Sequence, residues 1–180
     1  MEARHLRCRF PELEATRKAG IALASVLGEE GLVLSIEGPL GVGKTVFVKG
    51  LAEGLGIDPQ AVASPTFVIA HEYATGGGRV LRHVDFYRVE YPRELEEVGF
   101  GDFFEPGALL AVEWGDRFPE ALPTDRLELQ MERPGDSPAS RRVRAAARGE
   151  DSREILDHWQ VALARETAVE IEPEEVGGNR

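Results

Sequence analysis

Gly38-Pro39-Leu40-Gly41-Val42-Gly43-Lys44-Thr45 is the stretch whose reading decides the fold. It has the form GxxxxGK[ST], and that spacing has a mechanical meaning. Glycines let backbone N–H groups close around a pyrophosphate, Lys44 reaches the β- and γ-phosphates, and the Thr45 hydroxyl is placed to ligate Mg²⁺. The flanks agree with this reading. Leu32-Val33-Leu34-Ser35-Ile36 is an apolar run suited to a buried strand, and Val48, Leu51, Ala52 and Leu55 share one face of a helix over 45–55. Gly54-Leu55-Gly56 and then Pro59 stop that helix. Its N-terminus aims unpaired N–H groups and a positive dipole end at the loop. Only Lys18, Lys44 and Lys49 occur among the 21 basic residues. A chain that otherwise uses arginine keeps a compact ammonium where a planar guanidinium does not fit.

Working outward, Leu6 to Phe10 reads as a first strand and Pro11 to Leu27 as a helix, with Leu13, Thr16, Gly20, Leu23 and Leu27 spaced by three and four. After the loop and its helix, Phe67 to Tyr73 and Val80 to Phe86 are strands joined through Gly76-Gly77-Gly78, a hairpin signal. Arg93 to Val98 is a short polar helix, and Ala108-Leu109-Leu110-Ala111-Val112 is an apolar strand ending in Glu113. Arg126 to Glu132 and Arg141 to Ala147 are two more strands. The fold class is therefore α/β: a three-layer P-loop NTPase-type fold with a mixed, mostly parallel sheet that includes an antiparallel hairpin. Residues 1–148 form that domain, and 149–180 are a helical and acidic tail. There Asp151 and Glu154 make a capping pair before Ile155, Leu156, Trp159 and Leu163. The simplest role for Trp159 is to dock the tail. The end, Glu170 to Arg180, has the composition of a disordered terminus.

Composition excludes several classes. No run approaches the roughly 20 apolar residues of a membrane span. The N-terminus lacks the apolar centre of a signal peptide, and a single cysteine, Cys8, fits a reducing cytoplasm. A net charge of −11 argues against unaided binding of nucleic acid. The one basic cluster, Arg133 with Arg141-Arg142-Val143-Arg144 and Arg148, reads as the solvated face of an edge strand.

A phosphate loop needs a metal and a group to organise the γ-phosphate. Glu113, after the most apolar later strand, is assigned the metal from pattern alone. Asp85, in His83-Val84-Asp85-Phe86-Tyr87-Arg88, is placed near the γ-phosphate or its attacking water. A strand-end surface acid is the plainer alternative for each. Thr66, in Ser64-Pro65-Thr66-Phe67, sits where a hydroxyl can sense the γ-phosphate; an ordinary turn before a strand competes with that. His71 and His83 read as satisfied pocket-edge histidines.

The combination GPLGVGKT, SPTF, HVDFYR and LLAVEWGDR, in this order and spacing, closely resembles the TsaE family of small bacterial ATPases, needed for threonylcarbamoyladenosine synthesis at position 37 of tRNA. The resemblance covers roughly residues 6 to 148. It implies a cytoplasmic protein that binds Mg-ATP and hydrolyses it weakly alone, productively with the partners TsaD and TsaB. Those partners would perform the transfer chemistry, with tRNA met only indirectly or weakly and no membrane involved. Carried over by position, Thr45 and Glu113 resemble the Mg²⁺ ligands, and Asp85, Lys44 and Thr66 the catalytic group. Gly38, Gly41, Val42, Gly43, Lys44, Thr45 and Trp114 would surround the nucleotide. Thr16 aligns with a threonine near the adenine pocket. The alternatives are a small-molecule or nucleoside kinase, a GTPase, for which no Asn-Lys-x-Asp segment exists, and a non-hydrolysing interaction module.

Overall fold

A run such as Leu32-Val33-Leu34-Ser35-Ile36 has no polar alternation, so it needs cover on both faces and a central place in a sheet. In the computed structural model, which describes residues 3–65, 69–135, 137–166 and 168–172, it has that place. The elements are β1 (Arg4–Phe10), α1 (Leu13–Ala24), β2 (Leu32–Glu37), α2 (Lys44–Gly54), β3 (Ala70–Ala74), β4 (Val80–Asp85) and α3 (Pro92–Glu97). They continue with β5 (Leu109–Glu113), β6 (Leu127–Glu132), β7 (Arg141–Ala147), α4 (Glu150–Leu163) and β8 (Glu170–Glu172). One sheet takes every strand in the order β3-β4-β5-β2-β6-β7-β1-β8. Parallel pairing is confined to the central run β4-β5-β2-β6. The β3–β4 hairpin and the β6-β7-β1-β8 run are antiparallel.

Helices α1, α2 and α4 cover one face and share a core with Leu34, Ile36, Leu129 and Val143. On the other face a smaller cluster around Phe86, Leu110 and Val112 is closed by α3 and the helical turn Phe100–Phe103. That third layer stops short of β7. There Val143, Ala145 and Ala147 are buried under α4, while Arg142 and Arg144 lie on the uncovered side.

Two expectations change here. β7 is not an edge strand, because β6 and β1 flank it on both sides. Alternating polarity reports burial of one face and says nothing about the number of neighbours. The cap of α4 is not Asp151 with Glu154. Asp125 accepts the N–H groups of Asp151 and Ser152, each at 3.0 Å, from a loop distant in sequence.

Helix α4 and strand β8 also pack into the fold rather than hang from it. Trp159 is fully buried, donates its indole N–H to the Ala19 carbonyl at 3.0 Å, and meets the Phe47 ring edge-on at 5.8 Å. β8 pairs with β1, so the acidic end is strand at 170–172; residues 173–180 lie outside the described residues.

α1 and α2 approach closely enough to need glycine. A Cβ on Gly50 would stand 1.9 Å from the Arg17 carbonyl oxygen, and one on Gly20 2.3 Å from that of Phe47. Alanine normally improves a helix interior by roughly 0.5–1 kcal/mol. Gly50→Ala is nevertheless expected to destabilise by about 1–3 kcal/mol, because backbone meets the new methyl. Urea unfolding checks this; a raised midpoint would refute the close crossing.

Candidate functional site

β2, β4 and β5 run parallel, so their carboxyl ends come together, and in open α/β sheets that edge is where ligands bind. The register is specific: Ile36 pairs with Glu113, and Glu113 pairs with Asp85. Paired positions point to one face, here the face covered by α1 and α2. The loop follows β2 directly. Gly38 and Gly43 take φ values of 134° and 115°, which side chains with a Cβ avoid, and a Cβ on Gly38 would lie 2.2 Å from the Met131 carbonyl. Gly43 thereby turns the chain into α2, whose first residues are Lys44 and Thr45.

A cleft of about 220 Å³ opens at this point, lined by Gly41, Gly43, Lys44, Thr45, Asp85, Glu113 and Trp114, with Leu13, Leu40 and Tyr87 as an apolar rim. Lys44 is nearly buried, and its Nζ donates to the carbonyls of Gly38 (2.7 Å) and Pro39 (3.2 Å). Burial holds its pKa below the usual lysine value, offset in part by the charges of Glu113, Asp85 and Asp116. The same ammonium lies 4.0 Å from the centre of the Trp114 ring. Trp114 has φ 62°, a left-handed conformation that is strained for a bulky residue, and its ring meets Tyr87 at 5.2 Å.

The acids are held in place. Glu113 Oε1 accepts from the Thr45 hydroxyl at 2.7 Å and lies 2.9 Å from His83 Nε2. Asp85 accepts from the Tyr87 N–H at 2.8 Å and from the Ser64 hydroxyl at 3.2 Å. His83 is fully buried, and among the described residues its Nδ1 has no partner. Sequence reasoning left His83 as a satisfied histidine. The signal was available, because two-residue alternation along β4 sets His83 on the same face as Asp85. Ser64 and Tyr87 were missed as partners because their contacts depend on loop paths.

The predicted residues divide as follows. Lys44, Thr45, Gly41, Gly43, Asp85, Glu113 and Trp114 come together in the cleft. Gly38 and Val42 shape the loop, Val42 as a fully buried side chain. Thr16 is fully buried within α1 and does not line the cleft; the residue of α1 that does is Leu13, one turn earlier. Thr66 lies outside the described residues. A hydroxyl and two carboxylates are hard oxygen donors, the set that suits Mg²⁺, so these residues fit such an ion. The glycine loop at a helix N-terminus, with a buried ammonium, likewise fits a polyphosphate.

Fold and loop together define the class, an α/β protein of the P-loop NTPase type. Residues 10–143 match the profile of the family described as threonylcarbamoyl adenosine biosynthesis protein TsaE. The tRNA threonylcarbamoyladenosine biosynthesis protein TsaE of Bacillus subtilis is 42% identical over 133 residues, 74% of this chain and 81% of that one. That of Streptomyces coelicolor is 42% identical over 119 residues, 65% of this chain and 78% of the relative. The crystal structure of Bacillus subtilis YdiB superposes with a TM-score of 0.72 at 32% identity, covering 89% of this chain and 97% of that one. The chain belongs to the TsaE family.

Proposed function

We propose that the protein binds Mg-ATP in the loop cleft and hydrolyses it slowly. In this reading it is a cytoplasmic component of threonylcarbamoyladenosine formation in tRNA that acts through a complex with TsaD and TsaB. The observation that carries this reading is the convergence of Lys44, Thr45, Glu113 and Asp85 at the carboxyl ends of adjoining parallel strands. Lys44 and the loop amides bind the phosphates. Thr45 and Glu113 would hold Mg²⁺, which supplies charge neutralisation on the phosphate oxygens when bound. Asp85, fixed by Tyr87 and Ser64, orients the attacking water and takes its proton. Trp114 walls the site.

Partner choice follows from charge. At −11 overall, the chain offers RNA little attraction, and on the open face of β7 Arg142 is shared between Glu132 and Glu172 at 3.5 Å each. Protein contacts are the better fit, and the apolar rim of Leu13, Leu40 and Tyr87 stands at the cleft mouth. No helix among the described residues is long and apolar enough to cross a membrane. Cys8 is buried, which pushes its thiol up to about 12 and disfavours the reactive thiolate.

The test is phosphate release from Mg-ATP by the protein alone and with TsaD and TsaB. Turnover is expected to be slow alone and faster with both partners. Asp85→Asn and Glu113→Gln should retain part of the ATP affinity and lose on the order of 100-fold in stimulated turnover. Equal rates in both variants and wild type would remove the mechanism, and indifference to the partners would favour a non-hydrolysing interaction module.

A further inference from the structure

Two arginines outside the loop motif hold it from behind. Arg141, the first residue of β7 and only 3% exposed, donates from Nε to the Val42 carbonyl. Its Nη1 donates to the carbonyls of Pro138 at 2.9 Å and Ser140 at 2.7 Å. Arg133, just past β6, donates from Nη2 to the Gly41 carbonyl at 2.5 Å. Two consecutive loop carbonyls are thus turned toward the β6–β7 connection. In a trans peptide the C=O and the following N–H point in opposite directions, and no cis peptide occurs among the described residues. Fixing the Val42 carbonyl on Arg141 therefore sends the Gly43 N–H the other way, toward the cleft that Gly43 lines. Among the described residues no backbone acceptor meets that N–H. The Val42 N–H is occupied differently, donating to the Pro39 carbonyl at 3.2 Å, which braces the turn.

Charge points the same way. Among the described residues neither guanidinium has a carboxylate at ion-pair distance, although Arg142 of β7 and Arg148, just past that strand, do. Among the described residues the buried guanidinium is bonded to carbonyls alone and brings its positive charge beside the loop. Burial, with the neighbouring charge of Arg133, holds the Arg141 pKa below the usual arginine value.

We propose that Arg133 and Arg141 are positioning residues for phosphate binding: they preset the loop amides before the ligand arrives and add two positive charges whose counter-ion is the bound phosphate. This rests on the nucleotide reading of the cleft. It also gives a role to basic residues that the sequence alone presents as a solvated strand face.

The test compares wild type, Arg133→Gln, Arg141→Lys and Lys44→Ala. Affinity for inorganic triphosphate and for ATP is measured by calorimetry, and Tm is measured with and without ligand. Arg133 is exposed, so Arg133→Gln should leave the ligand-free Tm unchanged while weakening triphosphate about tenfold. Arg141→Lys keeps a charge but loses the fork of donors, and should weaken triphosphate by about tenfold or more. A merely bracing role would lower the ligand-free Tm and leave affinity in the folded protein at the wild-type value. That result, or wild-type affinity in both arginine variants while Lys44→Ala loses binding, overturns the clamp. If wild type itself binds neither ligand, the nucleotide reading fails, and the clamp with it.

Discussion

Lys44→Ala is expected to weaken ATP by about 30-fold or more, the largest effect on ligand affinity expected of a single change in the loop. The estimate follows from removing one partner of a buried charge pair, which costs about 2–5 kcal/mol, at 1.4 kcal/mol per tenfold. The ammonium is held by the Gly38 and Pro39 carbonyls and lies against Trp114, which positions it inside the loop. Lys44→Arg separates charge from shape. A planar guanidinium carries the charge but does not fit among carbonyls arranged for a compact ammonium, so it should fail to restore affinity. The measurement is the rise in Tm on adding Mg-ATP, which tracks ligand concentration over Kd. A wild-type rise in Lys44→Ala would sink the assignment of the phosphates to this loop.

The largest expected effect on stability comes from the opposite side of α2. Trp159→Ala removes a fully buried indole, its hydrogen bond to Ala19 and its edge contact with Phe47. Truncating a buried Trp costs about 3–5 kcal/mol. For a chain of this size that is a fall in Tm on the order of 10 °C. Trp159→Phe keeps most of the ring volume and loses the N–H donor, so it should cost about 1–2 kcal/mol. Thermal melts followed by circular dichroism measure both. An unchanged melting temperature in Trp159→Ala would mean that residues 149–172 form a separate unit, against the shared core. Because Phe47 lies on the helix that begins with Lys44, the same variant links the C-terminal helix to the rigidity of the loop.

What was legible in the sequence is what is encoded over a few consecutive residues. Gly38 to Thr45 specify a turn whose glycines, lysine and threonine have roles set by spacing. The apolar runs of β2 and β5 announce a buried parallel centre, and the glycines at 76–78 mark the hairpin. With those strands assigned, Asp85 and Glu113 could be nominated at strand ends, and the structure sets them side by side. The errors share one cause. The alternation at Arg142-Val143-Arg144 was legible as one buried face but not as a strand with two neighbours. Asp151 and Glu154 had the spacing of a cap, yet the groups that meet the first N–H donors of α4 come from Asp125 in a distant loop.

By itself, then, the sequence determined that a GxxxxGK[ST] loop joins a buried strand to a helix and that two strand-end acids accompany it. Local spacing imposes those features whatever the rest of the chain does. Only the tertiary structure decided that His83 and Thr45 share one oxygen of Glu113, that Asp125 caps α4, that Trp159 supports α2, and that Arg133 and Arg141 hold the loop carbonyls. Each of these joins residues far apart in the chain. Such contacts come from sheet order and helix packing, and those depend on the burial of the whole core rather than on any one segment.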